Sequence, residues 1–127
     1  MSLFFIDQKK LLSENMNHSN HLPEFQKEFK NLSKKYRSLG EDIERFERYI
    51  FENPVGEGKN FIIIHSEENI KIIKTRLACK SLKNRSMRII YSYHEDTLTF
   101  MYIEIYFKGD KENEDRERIK RYLKDYK

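Results

Sequence analysis

The sequence predicts an α+β domain: an N-terminal helical hairpin packed on a small, mainly antiparallel, twisted sheet of about four strands, with a C-terminal helix. Three observations predict it. Apolar residues recur at spacings of three and four over 23–52, give way to Ile-rich and aromatic runs over 61–107, and return to helical spacing after 112. Helical and strand-type segments are therefore segregated along the chain, without the β–α alternation of a parallel sheet. A short polar interval, His94-Glu95-Asp96-Thr97, separates the last two strand-type runs and suits an antiparallel hairpin.

Residues 1–21 read as an extension, and 22–127 as the domain. The run Asn15-Met16-Asn17-His18-Ser19-Asn20-His21 is polar and aperiodic, a loop or a weak edge strand near 17–22, while residues 3–12 fit a short helix or a strand equally well. Pro23 opens the first helix, because its missing N–H would have no partner in the first turn. Phe25, Phe29, Leu32 and Tyr36 share one face of it. Leu39-Gly40 breaks the pattern, and a second helix starts near Glu41 with Ile43, Phe46 and Ile50 facing inward. Asn53-Pro54-Val55-Gly56-Glu57-Gly58 ends it with turn residues. Strands follow at 61–65, 70–78, 87–94 and 98–107, and Gly109-Asp110 closes the sheet. A charged helix over 112–127 buries a stripe of Ile119, Tyr122, Leu123 and Tyr126.

Composition narrows the functional classes. The 127 residues suit one domain, and nine Phe with eight Tyr set the chain apart from disordered sequences. A single cysteine, Cys79, excludes an internal disulfide and reads as a small buried residue. The longest apolar runs resemble Phe61-Ile62-Ile63-Ile64, far short of the roughly 20 residues of a membrane span. The first residues lack the basic and apolar regions of a secretory signal, so a cytoplasmic location is expected. No Gly-rich phosphate loop is present, and no cofactor is expected. No metal is expected either: His18 and His21 read as surface residues, and His65 beside Glu67 and Glu68 is a poor ligand set.

Lys and Arg total 25 against 21 Asp and Glu, a net charge of +4 that decides nothing by itself. The placement says more. Arg76, Lys80, Lys83, Arg85, Arg88 and Lys108 lie in or beside strands. Charge in a strand is usually solvated on an open face, but Arg88 sits in Met87-Arg88-Ile89-Ile90-Tyr91, where apolar neighbours indicate burial. A cation there needs a partner. Glu104 is one candidate, and a phosphate is the other.

Residues 74–96, KTRLACKSLKNRSMRIIYSYHED, resemble the strand region of RelE/ParE-type toxins. Arg88-Ile89-Ile90-Tyr91 is similar to the family's Arg-containing strand, and Phe100 through Lys108 to its last strand, which ends in a basic residue. Upstream, LPEFQKEFKNLSKKYRSLGEDI is similar to its opening helix. The likeness covers most of 22–127 and leaves 1–21 outside. It implies a toxin restrained by a protein antitoxin, meeting DNA only through the toxin–antitoxin complex, and cutting mRNA on the ribosome without a metal. The resemblance assigns phosphate stabilisation to Arg88, and the same role or leaving-group assistance to Lys108. Lys80 and Lys83 fall near the family's catalytic lysines, while Arg76, Lys83 and Arg85 are placed for RNA backbone. Two departures stand out: Glu114 occupies the place of a C-terminal tyrosine found in some members, and the terminal His-Tyr pair of others is absent. Tyr106, with Glu104 on the same strand face, is the substitute the sequence offers. A two-residue Glu95-Asp96 loop places Arg88 opposite Ile103, and a bulge alters that register. A ParE-like inhibitor of gyrase without nuclease activity, or a domain retaining only antitoxin binding, are the alternative functions.

Overall fold

The computed structural model describes residues 18–83 and 85–125. Its elements run β1 (His18–His21), α1 (Pro23–Lys35), α2 (Leu39–Glu52), β2 (Phe61–Glu67), β3 (Ile70–Ala78), a 3-10 turn (Lys80–Leu82), β4 (Ser86–His94), β5 (Thr99–Phe107) and α3 (Arg116–Asp125). The α+β class holds, with three helices and one five-stranded sheet ordered β1-β5-β4-β3-β2. Neighbours pair antiparallel except β1, which runs parallel to β5.

The expected strands all form, and β1 adds a fifth. It pairs His18–His21 with 99–102, so the sheet takes in the last four residues of the expected extension. The Leu22 N–H prolongs the ladder by donating to the Tyr102 carbonyl at 2.9 Å. The expected helix or strand at 3–12 lies outside the described residues.

The helix break falls earlier than Leu39-Gly40, which are both helical. The chain leaves α1 at Tyr36, whose backbone is extended at φ −118°, and the turn at Arg37 and Ser38 is held by a hydroxyl network. Ser38 Oγ donates to Asp42 Oδ2 at 2.7 Å and accepts the Ser81 N–H at 2.9 Å. Bonds of this kind compete with helix continuation at Ser38, whereas the apolar Leu39, fully buried, is drawn into the core with its helix. Cys79 joins the same knot, its Sγ 3.5 Å from Ser38 Oγ; it is buried, and burial raises its pKa, which keeps the thiol protonated and inert.

Strand alternation divides the sheet into two faces. Ile73, Leu77, Ile89, Tyr91, Phe100, Tyr102 and Ile105 pack with Phe25 and Phe29 of α1 and Ile43, Phe46 and Ile50 of α2. On the opposite face Ile72, Ile90 and Ile103 pack with Ile119, Tyr122 and Leu123 of α3. Both layers are needed because a sheet apolar on two faces must be covered on both.

The β4–β5 hairpin turns over four residues, not two, and carries a bulge. His94 pairs with Thr99 and Tyr91 with Tyr102, but Ile90 pairs with Glu104, leaving Ile103 as the extra residue. Arg88 therefore stands opposite Tyr106 rather than Ile103. Leu98 closes the turn at φ +54°, a conformation that costs a side-chain-bearing residue about 1–2 kcal/mol. Half of Leu98 is exposed, so little packing offsets that cost. Leu98→Gly is expected to stabilise the protein by about 0.5–1 kcal/mol, part of the relief being lost to unfolded-chain entropy. A lower rather than higher Tm would show that Leu98 contributes more by packing than it costs in strain.

Helix α3 begins at Arg116, four residues later than its charge pattern suggests, because Asp115 is its cap. Asp115 Oδ1 accepts the Arg118 N–H at 3.0 Å, satisfying one of the helix's free donors. Tyr126, expected in the buried stripe, lies outside the described residues.

The two sheet edges end differently. β1 covers β5 only as far as Tyr102. Beyond it, Glu28 of α1 and Arg118 of α3 meet in a two-pronged ion pair at 3.0 and 2.8 Å. Glu28 Oε1 also accepts the Ile105 N–H at 3.3 Å, and Arg118 Nη1 donates to the Ile103 carbonyl at 2.8 Å. The pair takes the hydrogen bonds that a further strand would take. At the other edge, β2 has no neighbour beyond it among the described residues, and Ile62 and Ile63 are 52% and 47% exposed.

Candidate anion-binding cleft

Helix α3 covers only part of its sheet face. Beyond it, the ends of β3, β4 and β5 leave an open cleft of about 460 Å³ lined by Arg76, Arg85, Ser86, Arg88, Phe107, Lys108 and Gly109. Four of the expected site residues thus converge from three strands and their flanks. Arg76 and Arg88 are direct cross-strand partners on β3 and β4. Like charges in that position repel. Among the described residues, none of Arg76, Arg85, Arg88 or Lys108 forms an ion pair.

Arg88 is half-buried, and its Nη1 donates to Ser86 Oγ at 2.9 Å. Burial first, and then the charge of Arg76, pull its pKa below the usual arginine value. The guanidinium remains a cation at neutral pH. The ion pair with Glu104 that the sequence offered as one option does not form. Arg85 is exposed, its guanidinium 5.6 Å from the Phe107 ring centroid, which anchors that cation at the cleft wall. Gly109 is required beside this ring: a Cβ there would sit 2.4 Å from the Phe107 side chain.

Tyr106 and Glu104 follow Arg88 and Lys108 onto the same sheet face, as the bulge dictates, but their roles differ. The Tyr106 hydroxyl is buried, with Lys74 as its polar neighbour. Burial raises its pKa against the opposing pull of Lys74, so it stays protonated and remains a potential donor. Lys74 itself holds Glu114 at 2.8 Å, and Glu114 holds Arg116 at 2.9 Å. Burial lowers the Lys74 pKa, but Glu114 and Tyr106 outweigh it and the net shift is upward. Glu104 is fully buried, ion-paired with Lys111 and accepting the Asp115 N–H at 2.8 Å. Both of its oxygens are thus engaged at the start of α3.

Lys80 and Lys83 do not line the cleft. Lys80 belongs to the 3-10 turn, its N–H bonded to Asp42 on the α2 side of the sheet, and its side chain is exposed. Lys83 follows at φ +39°, also exposed. Their sequence proximity to Arg85 is undone by the turn between them and β4. Sequence reasoning missed Lys74 and Ser86. Each lies two residues from a recognised arginine, and so on the same strand face, which is the signal that identifies them.

Among the described residues, no cluster of three His, Cys, Asp or Glu is placed to hold a metal, and His65 instead meets Glu67 at 2.9 Å. No helix among them is long and apolar enough to cross a membrane. No family model, curated protein or solved structure matches the chain. Chemically, the arrangement is a set of cations without counter-ions around a concave surface, with one buried phenol alongside. It suits a ligand carrying phosphate groups and supplies charge stabilisation rather than a free carboxylate base.

Proposed function

We propose that this protein is a toxin of the RelE/ParE kind, acting in the cytoplasm as a metal-free mRNA endonuclease on the ribosome and restrained by a protein antitoxin. The single observation that carries this reading is the facing pair Arg76 and Arg88, held together without a carboxylate. Such a pair is costly in the free protein and favourable when an anion lies between its members. An mRNA backbone in the cleft places a phosphate against Arg88 and Arg76, with Arg85 and Lys108 meeting neighbouring phosphates. The 2′-hydroxyl gives up its proton to water and its oxygen bonds to the adjacent phosphorus as the bond from phosphorus to the 5′-oxygen breaks. Arg88 stabilises the added charge on the phosphoryl oxygens. The 5′-oxygen takes up a proton, for which Lys108, on the cleft wall, is the donor at hand.

The test is to express the chain under tight control and map mRNA 5′ ends by primer extension. In-frame cuts that disappear when initiation is blocked are the expected result. A second reading, gyrase inhibition without cleavage, is favoured by the engagement of both Glu104 oxygens and by Glu114 at the place of a family tyrosine. Growth arrest with intact mRNA and altered plasmid supercoiling would select it. Harmless expression would remove both readings.

A further inference from the structure

The open β2 edge is the other feature of this molecule that its own packing leaves unexplained. At the opposite end β1, four residues long and itself the outermost described strand, covers β5 as far as Tyr102, and Glu28 and Arg118 take the β5 groups beyond it. On β2, alternate backbone N–H and C=O groups point away from β3 with no strand among the described residues to receive them. Proteins commonly guard such edges with prolines or central charges. Here the centre of the strand is Phe61-Ile62-Ile63-Ile64, and the charged residues stand only at its ends. Ile62 and Ile63 are about half exposed, and Tyr49, 37% exposed, lies 5.5 Å from Phe61 in ring centroids, extending the apolar surface onto α2.

We propose that β2 pairs with β2 of a second copy, antiparallel across a twofold axis near Ile63. The charge pattern argues for a copy of this chain rather than another strand. The edge reads Lys59-Asn60-Phe61-Ile62-Ile63-Ile64-His65-Ser66-Glu67-Glu68, basic at one end and acidic at the other. Reversed upon itself about Ile63, it brings Lys59 of each copy alongside Glu67 and Glu68 of the other and sets Ile62 and Ile63 against the same apolar centre. A parallel pairing would set like charges together at both ends. Lys59 and Glu68 are exposed, and among the described residues neither forms an ion pair, so both are free for this contact. The bulge at Ile64 twists the strand but leaves the complementarity intact, since Glu67 and Glu68 bracket the shifted register. Twofold, self-complementary contacts are the commonest way identical chains associate. The result is a continuous ten-stranded sheet with both cationic clefts retained.

Sedimentation velocity on the full chain across a concentration series tests this. A seven-residue strand pair is a small interface, so the dimer is expected to dissociate on the order of micromolar. The wild type should shift from monomer to dimer with concentration. Ile63→Lys should remain monomeric throughout, with its circular dichroism and Tm unchanged because the side chain is exposed. Lys59→Glu should weaken the dimer about tenfold, and combining it with Glu67→Lys and Glu68→Lys should restore it. A wild type that stays monomeric at every concentration overturns the proposal, as does a dimer that survives Ile63→Lys or a charge reversal that fails to restore it. A monomer that instead captures a foreign strand on this edge also overturns it.

Discussion

Arg88→Ala is expected to reduce translation-dependent mRNA cleavage by about 100- to 1,000-fold, the effect of removing one group that stabilises charge in a transition state. Stability should hardly change. Arg88 makes one side-chain hydrogen bond, to Ser86, and its removal relieves the repulsion with Arg76 on the facing strand. Fold and activity therefore separate at this residue, which makes it the sharpest probe of the cleft. Arg88→Lys should recover part of the activity, because it keeps the charge but loses the forked geometry that grips two phosphate oxygens. Primer extension on the same transcripts, with expression matched by immunoblot, gives the comparison. Cleavage by Arg88→Ala within threefold of wild type would remove Arg88 from the chemistry.

Arg118→Ala is expected to cost about 3–5 kcal/mol, a large share of the roughly 5–15 kcal/mol that holds a domain of this size together. The reason is what remains behind. Glu28 loses both prongs of its partner, and the Ile103 carbonyl, buried on the β5 edge, loses its donor. Burial lowers the Arg118 pKa, but Glu28 outweighs it and raises it overall, so the guanidinium keeps its charge. Urea unfolding followed by circular dichroism measures the loss. Glu28→Ala and the double variant complete a cycle, in which the double change should cost clearly less than the sum of the single ones. A loss below about 1 kcal/mol would mean that solvent substitutes for the pair at this edge.

Much of the fold was legible because its signals are local. Phe25 and Phe29, Ile43, Phe46 and Ile50, and the alternation in β3 and β4 each announce an element within a few residues of chain. What was not legible depends on partners distant in sequence. Local pattern left His18–His21 between a loop and a weak edge strand; the open edge of β5, eighty residues away, decides for the strand. Gly40 looks like a breaker until Ser81, from beyond β3, is seen to bond Ser38 and fix the break earlier. The cleft divides the same way. Arg76, Arg88 and Lys108 were picked out by strand position, and the sheet brings them together. Lys80 and Lys83 were picked out by proximity in sequence, which a single 3-10 turn is enough to undo. The partner of Arg88 stayed open between Glu104 and a phosphate, because the four-residue turn and the bulge at Ile103 that set which residue faces it leave no local mark.

The bond between Glu28 and Arg118 spans 90 positions of the chain. A ribosome delivers α1 before β5 and β5 before α3, so when β5 emerges the Ile105 N–H already has Glu28 to receive it, while the Ile103 carbonyl waits for Arg118. The sheet can be sealed only when the final helix emerges. Until then the nascent chain carries a second sticky edge in addition to β2, and neither the apolar layer under α3 nor the wall that Glu114 and Lys74 build beside the cleft exists. This stretch of the β5 edge is therefore completed only when α3 docks, although every residue that lines the cleft precedes that helix in the chain.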